Sequence, residues 1–328
     1  MTNEPRPVKV IYIAGLGRSG STLLDRILGA TPGLFSMGEI RTFWRNWSDI
    51  PRAGRQSDAE PKLYMCGCGA HMSECQLWRA VVKHGFGETL PDAKEHIRVQ
   101  HVAVSRRNIP IWFMRPFRRA GAEEKQRAYA ADVERLFRGA SAVGGAVALI
   151  DSSKIPRHAL VLGLSSAFDL RVIHLVRDPR GSTLSWRRGA TGPDSPAPSH
   201  HMRRVAAHRV AGMWVVSHLT TELLRLKGHP VLRVRYEEFV RDPVAWTDRI
   251  LAFAGVEARP AGLTNSSFEA AAQHLVSGNP IRSVTGTIAI RPDNAWRREL
   301  PFKQKAIVTA MTWPMLLWYG LPLWPRRR

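Results

Sequence analysis

This chain has little acidic charge, few cysteines and no long uninterrupted apolar run. Only 27 Asp and Glu stand against 48 Lys and Arg, a formal net charge of +21. That imbalance argues for an anionic partner, whether a nucleotide ligand, a nucleic acid or a membrane surface, or else for a composition that simply favours arginine. Three cysteines in 328 residues make no disulfide framework and suit a cytoplasmic protein. Polar residues 1 to 9 lead directly into an apolar strand pattern, so no signal peptide is read. The C-terminal AIVTAMTWPMLLWYGLPLWPRRR has the length to cross a bilayer, but Pro314, Pro322 and Pro325 interrupt it and argue against a transmembrane helix. It reads as a helix packed on the domain over about 300–328. The alternative is peripheral docking, with Trp313, Trp318 and Trp324 at headgroup depth and Arg326 to Arg328 on anionic lipid.

What is present is enough for a large core. Hydrophobic content of 44% with 11 Trp argues against disorder, and residues 1–328 read as one domain with insertions. Four short apolar runs, Val8 to Ala14, Ala146 to Asp151, Leu170 to Val176 and Pro230 to Val234, look like buried parallel strands. Helical patterns separate them at Thr22 to Ala30, Ala122 to Val143, Pro156 to Ala167 and His200 to Lys227. The alternation predicts an α/β fold of P-loop type: a doubly wound parallel sheet flanked by helices. Residues 40–145 are less regular and read as a helical insertion on the acceptor side. Residues 256 to 300 look mostly irregular, and GATGPDSPAPS at 189 to 199 suits a lid.

Ligands of such sheets bind beyond the carboxyl ends of the strands. The first end reads Gly15-Leu16-Gly17-Arg18-Ser19-Gly20-Ser21-Thr22, a P-loop in which Ser21 replaces the lysine. Backbone N–H groups, hydroxyls and a helix N-terminus remain to hold an anion with less charge than a triphosphate with magnesium. Asp151, in a DSSK context, suits a turn better than a magnesium ligand. The third strand ends in RDPRGSTLS, where Arg177 and Ser185 lie eight residues apart and can grip a terminal phosphate.

GLGRSGSTLL followed by LVRDPRGSTLS resembles the two nucleotide-binding signatures of the sulfotransferases that use 3'-phosphoadenosine 5'-phosphosulfate (PAPS). ATPGLFSMGEIR, VRYEEFVRDP and GNPIR with DNAW extend the likeness over most of residues 8 to 300, most closely to the tyrosylprotein-sulfotransferase-like branch and its bacterial relatives. The resemblance implies that Gly17, Arg18, Ser19, Gly20, Ser21 and Thr22 hold the 5'-phosphosulfate, and that Arg177 and Ser185 hold the 3'-phosphate. It implies a nucleotide-facing Tyr236, and a loop bearing Asn279 and Arg282, with Ser277 an alternative, closed over the nucleotide. It further implies that Glu39 is the general base and that Lys154, assisted by Arg18, neutralises the leaving bridge oxygen. No metal is required. Gly189 stands where a relative has arginine, with Arg187 and Arg188 adjacent.

Cys66, Cys68 and Cys75 cluster around His71 in MCGCGAHMSECQLW. Structural zinc, a disulfide and free thiols are all open. The implied acceptor is a small molecule, glycan or lipid carrying a hydroxyl, with phenols and peptide tyrosine also open. A lysine-free P-loop kinase or NTPase is the alternative reading. A nucleic-acid partner is not expected, because no recognisable binding motif accompanies the basic charge.

Overall fold

The structure is a computed structural model that describes residues 6–51, 64–87, 89–105, 108, 121–188 and 204–324. The expected lid at 189 to 199 and the basic end Arg326 to Arg328 lie outside the described residues.

Among the described residues, five parallel strands form the central sheet. These are β1 (Val8–Gly15), β2 (Leu34–Ser36), β3 (Ala148–Lys154), β4 (Phe168–Val176) and β5 (Val231–Arg235), in the order β2-β3-β1-β4-β5. Strand β1 shows why the sheet is covered on both faces. Val8, Val10, Tyr12 and Ala14 point into one apolar cluster, and Ile11 and Ile13 into another. Successive side chains of a strand face opposite ways, so a continuous apolar run serves two cores.

On one face lie the insertion helices Phe43–Trp47, Gln76–Phe86, Ala93–Ala103 and Ala122–Gly144. Phe43, Trp44, Trp78, Tyr129 and Phe137 are buried there, so these insertion aromatics form core. The helices Ser21–Leu28 and Pro243–Ala254 cover the other face.

Three departures from the sequence reading have local causes. The three-residue β2 directly follows Thr31-Pro32-Gly33 and is too short to show a period. Residues 256 to 300 contain an antiparallel hairpin, β6 (Ser267–Ala270) with β7 (Gly286–Ala289), whose halves are separated by a long excursion. Strand β3 continues through Ser152 and Ser153 to Lys154 instead of turning after Asp151. Its register with β1 passes from Tyr12↔Asp151 to Ala14↔Lys154, a bulge.

The C-terminal helix Phe302–Trp318 runs through Pro314 and packs on the helix Ala207–Leu226. Val308, Thr312 and Leu316 form its buried stripe at four-residue spacing, while Phe302, Met311, Trp313, Leu317 and Trp318 are exposed. No helix among the described residues is long and apolar enough to cross a membrane.

Candidate active site

Strand register brings the implied residues to one rim. Ala14 pairs with Lys154, Gly15 with Leu175, and Val176 with Arg235. The loop after β1, the last residue of β3, Arg177 after β4 and Tyr236 after β5 therefore share the carboxyl edge. With β3 and β4 on opposite sides of β1, the chain reverses its winding direction there, which opens a crevice.

The loop is built to approach something closely. Gly20 has φ 88°, and a Cβ there would lie 2.5 Å from the Tyr236 ring. Gly20 also precedes the helix Ser21–Leu28 without a side-chain cap, leaving its N-terminal N–H groups oriented toward the crevice. Ser19, Ser21 and Thr22 are buried, and the Ser19 hydroxyl has no hydrogen-bond partner. An unsatisfied buried hydroxyl costs about 1–3 kcal/mol, so this donor fits an oxyanion. Trp186 braces the loop by donating to the Gly17 carbonyl at 3.1 Å, and Arg18 lies over its ring at 5.7 Å.

Arg18 (φ 73°) and Lys154 (φ 68°) both occupy the left-handed region. Such a conformation costs a non-glycine residue on the order of 1–3 kcal/mol, and strain of this kind clusters at functional sites. In Lys154 it follows from the bulge, which turns the ammonium toward Glu39, and Lys154 Nζ donates to Glu39 Oε1. The backbone turn bearing Glu39 is tied to β3 by Met37 N to Ile150 O, Ser152 N to Gly38 O, and Arg41 N to Ser153 Oγ. Burial lowers the pKa of Arg18, and the nearby Glu39 charge opposes that shift.

Arg177 is buried and fully engaged. It donates to the Arg18 carbonyl at 2.9 Å and to Asp293 at 2.6 Å, and it stacks 4.4 Å over the Tyr236 ring. A Cβ on Gly181 would lie 3.2 Å from its Nε. Ser185 stands one helical turn beyond Gly181 on the same side of the helix Pro179–Arg188. Arg187, Arg188 and Arg204 line a neighbouring cleft together with Leu184 and Glu299, and Arg188 is paired with Glu299.

The segment 275–284 lies against the loop. Asn279 N approaches Thr22 Oγ1 at 3.4 Å, and the Asn279 side chain caps the short turn Pro280–Ser283. Arg282 is buried and reaches the Met65 carbonyl at 3.3 Å.

The comparisons match this architecture. The model of the sulfotransferase family matches residues 10–260. This chain belongs to the sulfotransferase family. Carbohydrate sulfotransferase 2 of mouse and of human are each 29% identical in an alignment of length 177 that covers 42% of this chain and 32% of theirs. The chain thus spans about a third of the length of those curated relatives. Among solved structures, the sulfotransferase domain from the curacin biosynthetic pathway superposes with a TM-score of 0.52 at 18% identity, covering 97% of this chain and 100% of that one. At that identity the likeness concerns the fold alone.

Several residues of this sulfotransferase escaped the sequence reading. Asp25 is buried on the helix that follows the loop, where it accepts hydrogen bonds from Ser36 Oγ and, at 2.6 Å, from Ser152 Oγ. Burial raises its pKa to about 6, with the two hydroxyls opposing. Arg26 is fully buried and donates to the carbonyls of Ala271 (2.6 Å), Ile281 (2.6 Å) and Val284, pinning both ends of the covering segment. Asp293 was inside a recognised motif but carried no role. Asp151 is committed elsewhere, to His158 at 3.1 Å and to Ser153 N at 2.8 Å.

The cysteine cluster needs a correction. His71 points away from it, bonded to Asp49 and Ser73 at 2.8 Å each. The histidine beside Cys66, Cys68 and Cys75 is His274. It lies about 200 residues away in sequence, so no local pattern identifies it.

Proposed function

We propose that this sulfotransferase moves a sulfuryl group from PAPS to an acceptor hydroxyl. The observation that carries the reading is the unpartnered Ser19 hydroxyl on a loop whose lysine is missing, next to the strained Lys154 paired with Glu39. PAPS supplies an activated sulfuryl group. Gly17, Ser19, Gly20, Ser21 and Thr22 hold its 5' end through N–H and hydroxyl donors. Arg177 and Ser185 hold the 3'-phosphate, with Tyr236 flanking the nucleotide and Asn279 and Arg282 covering it. Arg177 then exchanges the Asp293 carboxylate for phosphate.

Glu39 and Lys154 neutralise one another at rest. When Lys154 turns to the leaving bridge oxygen, Glu39 Oε1 is released to take the acceptor proton, so donor binding arms the base. Arg18 adds positive charge to the same oxygen, so no metal is assigned to the transfer.

The likeness to carbohydrate sulfotransferase 2 favours a carbohydrate acceptor, with lipid or phenolic hydroxyls as alternatives. The exposed apolar side of the C-terminal helix supports a peripheral membrane contact, and the reading assigns no nucleic-acid partner.

Thermal denaturation with added nucleotides tests the donor. PAP and PAPS raise Tm by mass action, whereas ATP with magnesium does so far less. Equal stabilisation by ATP with magnesium returns the chain to the NTPase-like alternative. Labelled PAPS incubated with cell extract and the enzyme then reveals the acceptor by mass spectrometry.

A further inference from the structure

We propose that Cys66, Cys68, Cys75 and His274 form a structural zinc site that fastens the acceptor-side insertion to the segment covering the donor. The ligand atoms of these four residues all lie within 4.8 Å of one another. A tetrahedral zinc with Zn–S of about 2.3 Å and Zn–N of about 2.0 Å requires S···S edges of about 3.8 Å and S···N edges of about 3.5 Å. Cys68 Sγ and Cys75 Sγ are 3.8 Å apart, and His274 Nδ1 lies 3.7 Å from Cys66 Sγ and 3.3 Å from Cys75 Sγ. The three cysteines are free.

The backbone around the cluster is already shaped to aim these ligands. Cys66 and Cys68 sit on a tight turn in which Cys66 N donates to Ala70 O, Gly69 N donates to Cys66 O, and Gly69 has φ 92°. Gly67 N donates to the Leu275 carbonyl at 2.9 Å, and a Cβ on Gly67 would strike the Gln273 carbonyl. Cys75 directly precedes the helix Gln76–Phe86, which fixes its backbone. Trp78 Nε1 fixes the His274 backbone by donating to its carbonyl at 2.9 Å.

Four protein ligands leave no open position, which marks a structural rather than a hydrolytic zinc. The consequence lies in connectivity. His274 opens the segment that continues through Asn279 to Arg282, and Arg282 returns to the carbonyl of Met65, next to Cys66. Zinc therefore adds a cross-link between two segments of chain that also meet through hydrogen bonds and apolar packing. The assignment is independent of the donor proposed above.

Native mass spectrometry of the full chain, purified from zinc-supplemented cells, reads the metal directly, and cobalt exchange reports thiolate ligation through its charge-transfer absorption. One zinc per chain is expected. His274→Ala and Cys68→Ser should lose it, whereas His71→Ala should keep it. Chelation of the wild-type chain should lower Tm and speed amide exchange across 275–284, and zinc should reverse both effects. Three results overturn the site. They are a chain that takes up neither zinc nor cobalt on titration, a mass lower by two hydrogens that shows a disulfide, and zinc that persists in His274→Ala. The wild-type measurements decide the matter even if a variant fails to fold.

Discussion

Asp25→Asn should stabilise this sulfotransferase at neutral pH, and the gain should fade as pH falls. Asp25 is 1% exposed on the helix that follows the P-loop. Burial lifts its pKa from 3.8 to about 6, and the hydrogen bonds from Ser152 and Ser36 only partly oppose this. A carboxyl whose folded pKa is raised stabilises the fold fully below its unfolded pKa and loses that contribution as pH rises through the folded value. The full span is about 2 pKa units, or about 3 kcal/mol at 1.36 kcal/mol per unit. Between about pH 5 and pH 8 the linkage relation yields about 1.4 kcal/mol of that loss. Asparagine has nearly the same shape, accepts from one serine and donates to the other, and does not titrate. Urea unfolding of both proteins at these two pH values isolates the residue, because other groups cancel in the difference. The advantage of the variant should be larger at pH 8 by about 1.4 kcal/mol. A difference that is flat with pH, or that grows toward acid, would refute the reasoning that Asp25 pays a desolvation cost when ionised.

Two further perturbations address the chemistry. Glu39→Gln keeps the shape next to Lys154 but cannot take a proton, so turnover should fall by roughly 10²–10⁴ with little change in PAP affinity; stopped assays with a known acceptor and PAP titration separate the two. Lys154→Ala should slow turnover and also weaken PAPS binding, as the proposed contact of its ammonium with the donor requires. Arg177→Ala should weaken PAP by on the order of 2–4 kcal/mol while leaving adenosine 5'-phosphosulfate much less affected. Calorimetry with both nucleotides checks this, and equal losses would mean that Arg177 does not read the 3'-phosphate.

The local patterns of this chain were readable because they obey short-range rules. An apolar run before a glycine-rich turn specifies a buried strand feeding a helix, and β1 and the helix Ser21–Leu28 lie within a residue or two of where periodicity put them. The helix Ala122–Gly144 ends within a residue of its expected bounds, whereas the helix Ala207–Leu226 starts seven residues after His200. The loop residues, Arg177 and Ser185 were visible as spaced side-chain types, and Glu39 and Lys154 as positions within a recognised order of motifs.

What the sequence by itself determined is thus the class of the sheet, the glycine-rich loop at the end of β1 and the residue types available at the strand ends. Tertiary structure alone decided which of those residues meet. The bulge in β3 turns Lys154 onto Glu39, Asp293 comes to Arg177 across 116 residues, and Arg26 pins a segment about 250 residues away. His274 replaces His71 beside the cysteines for the same reason. Periodicity and spacing report the geometry of a few turns of chain, whereas these contacts depend on how distant elements stack across the sheet. Burial then sets the charges: the Asp25 carboxyl resists ionisation only because the folded chain removes water from around it.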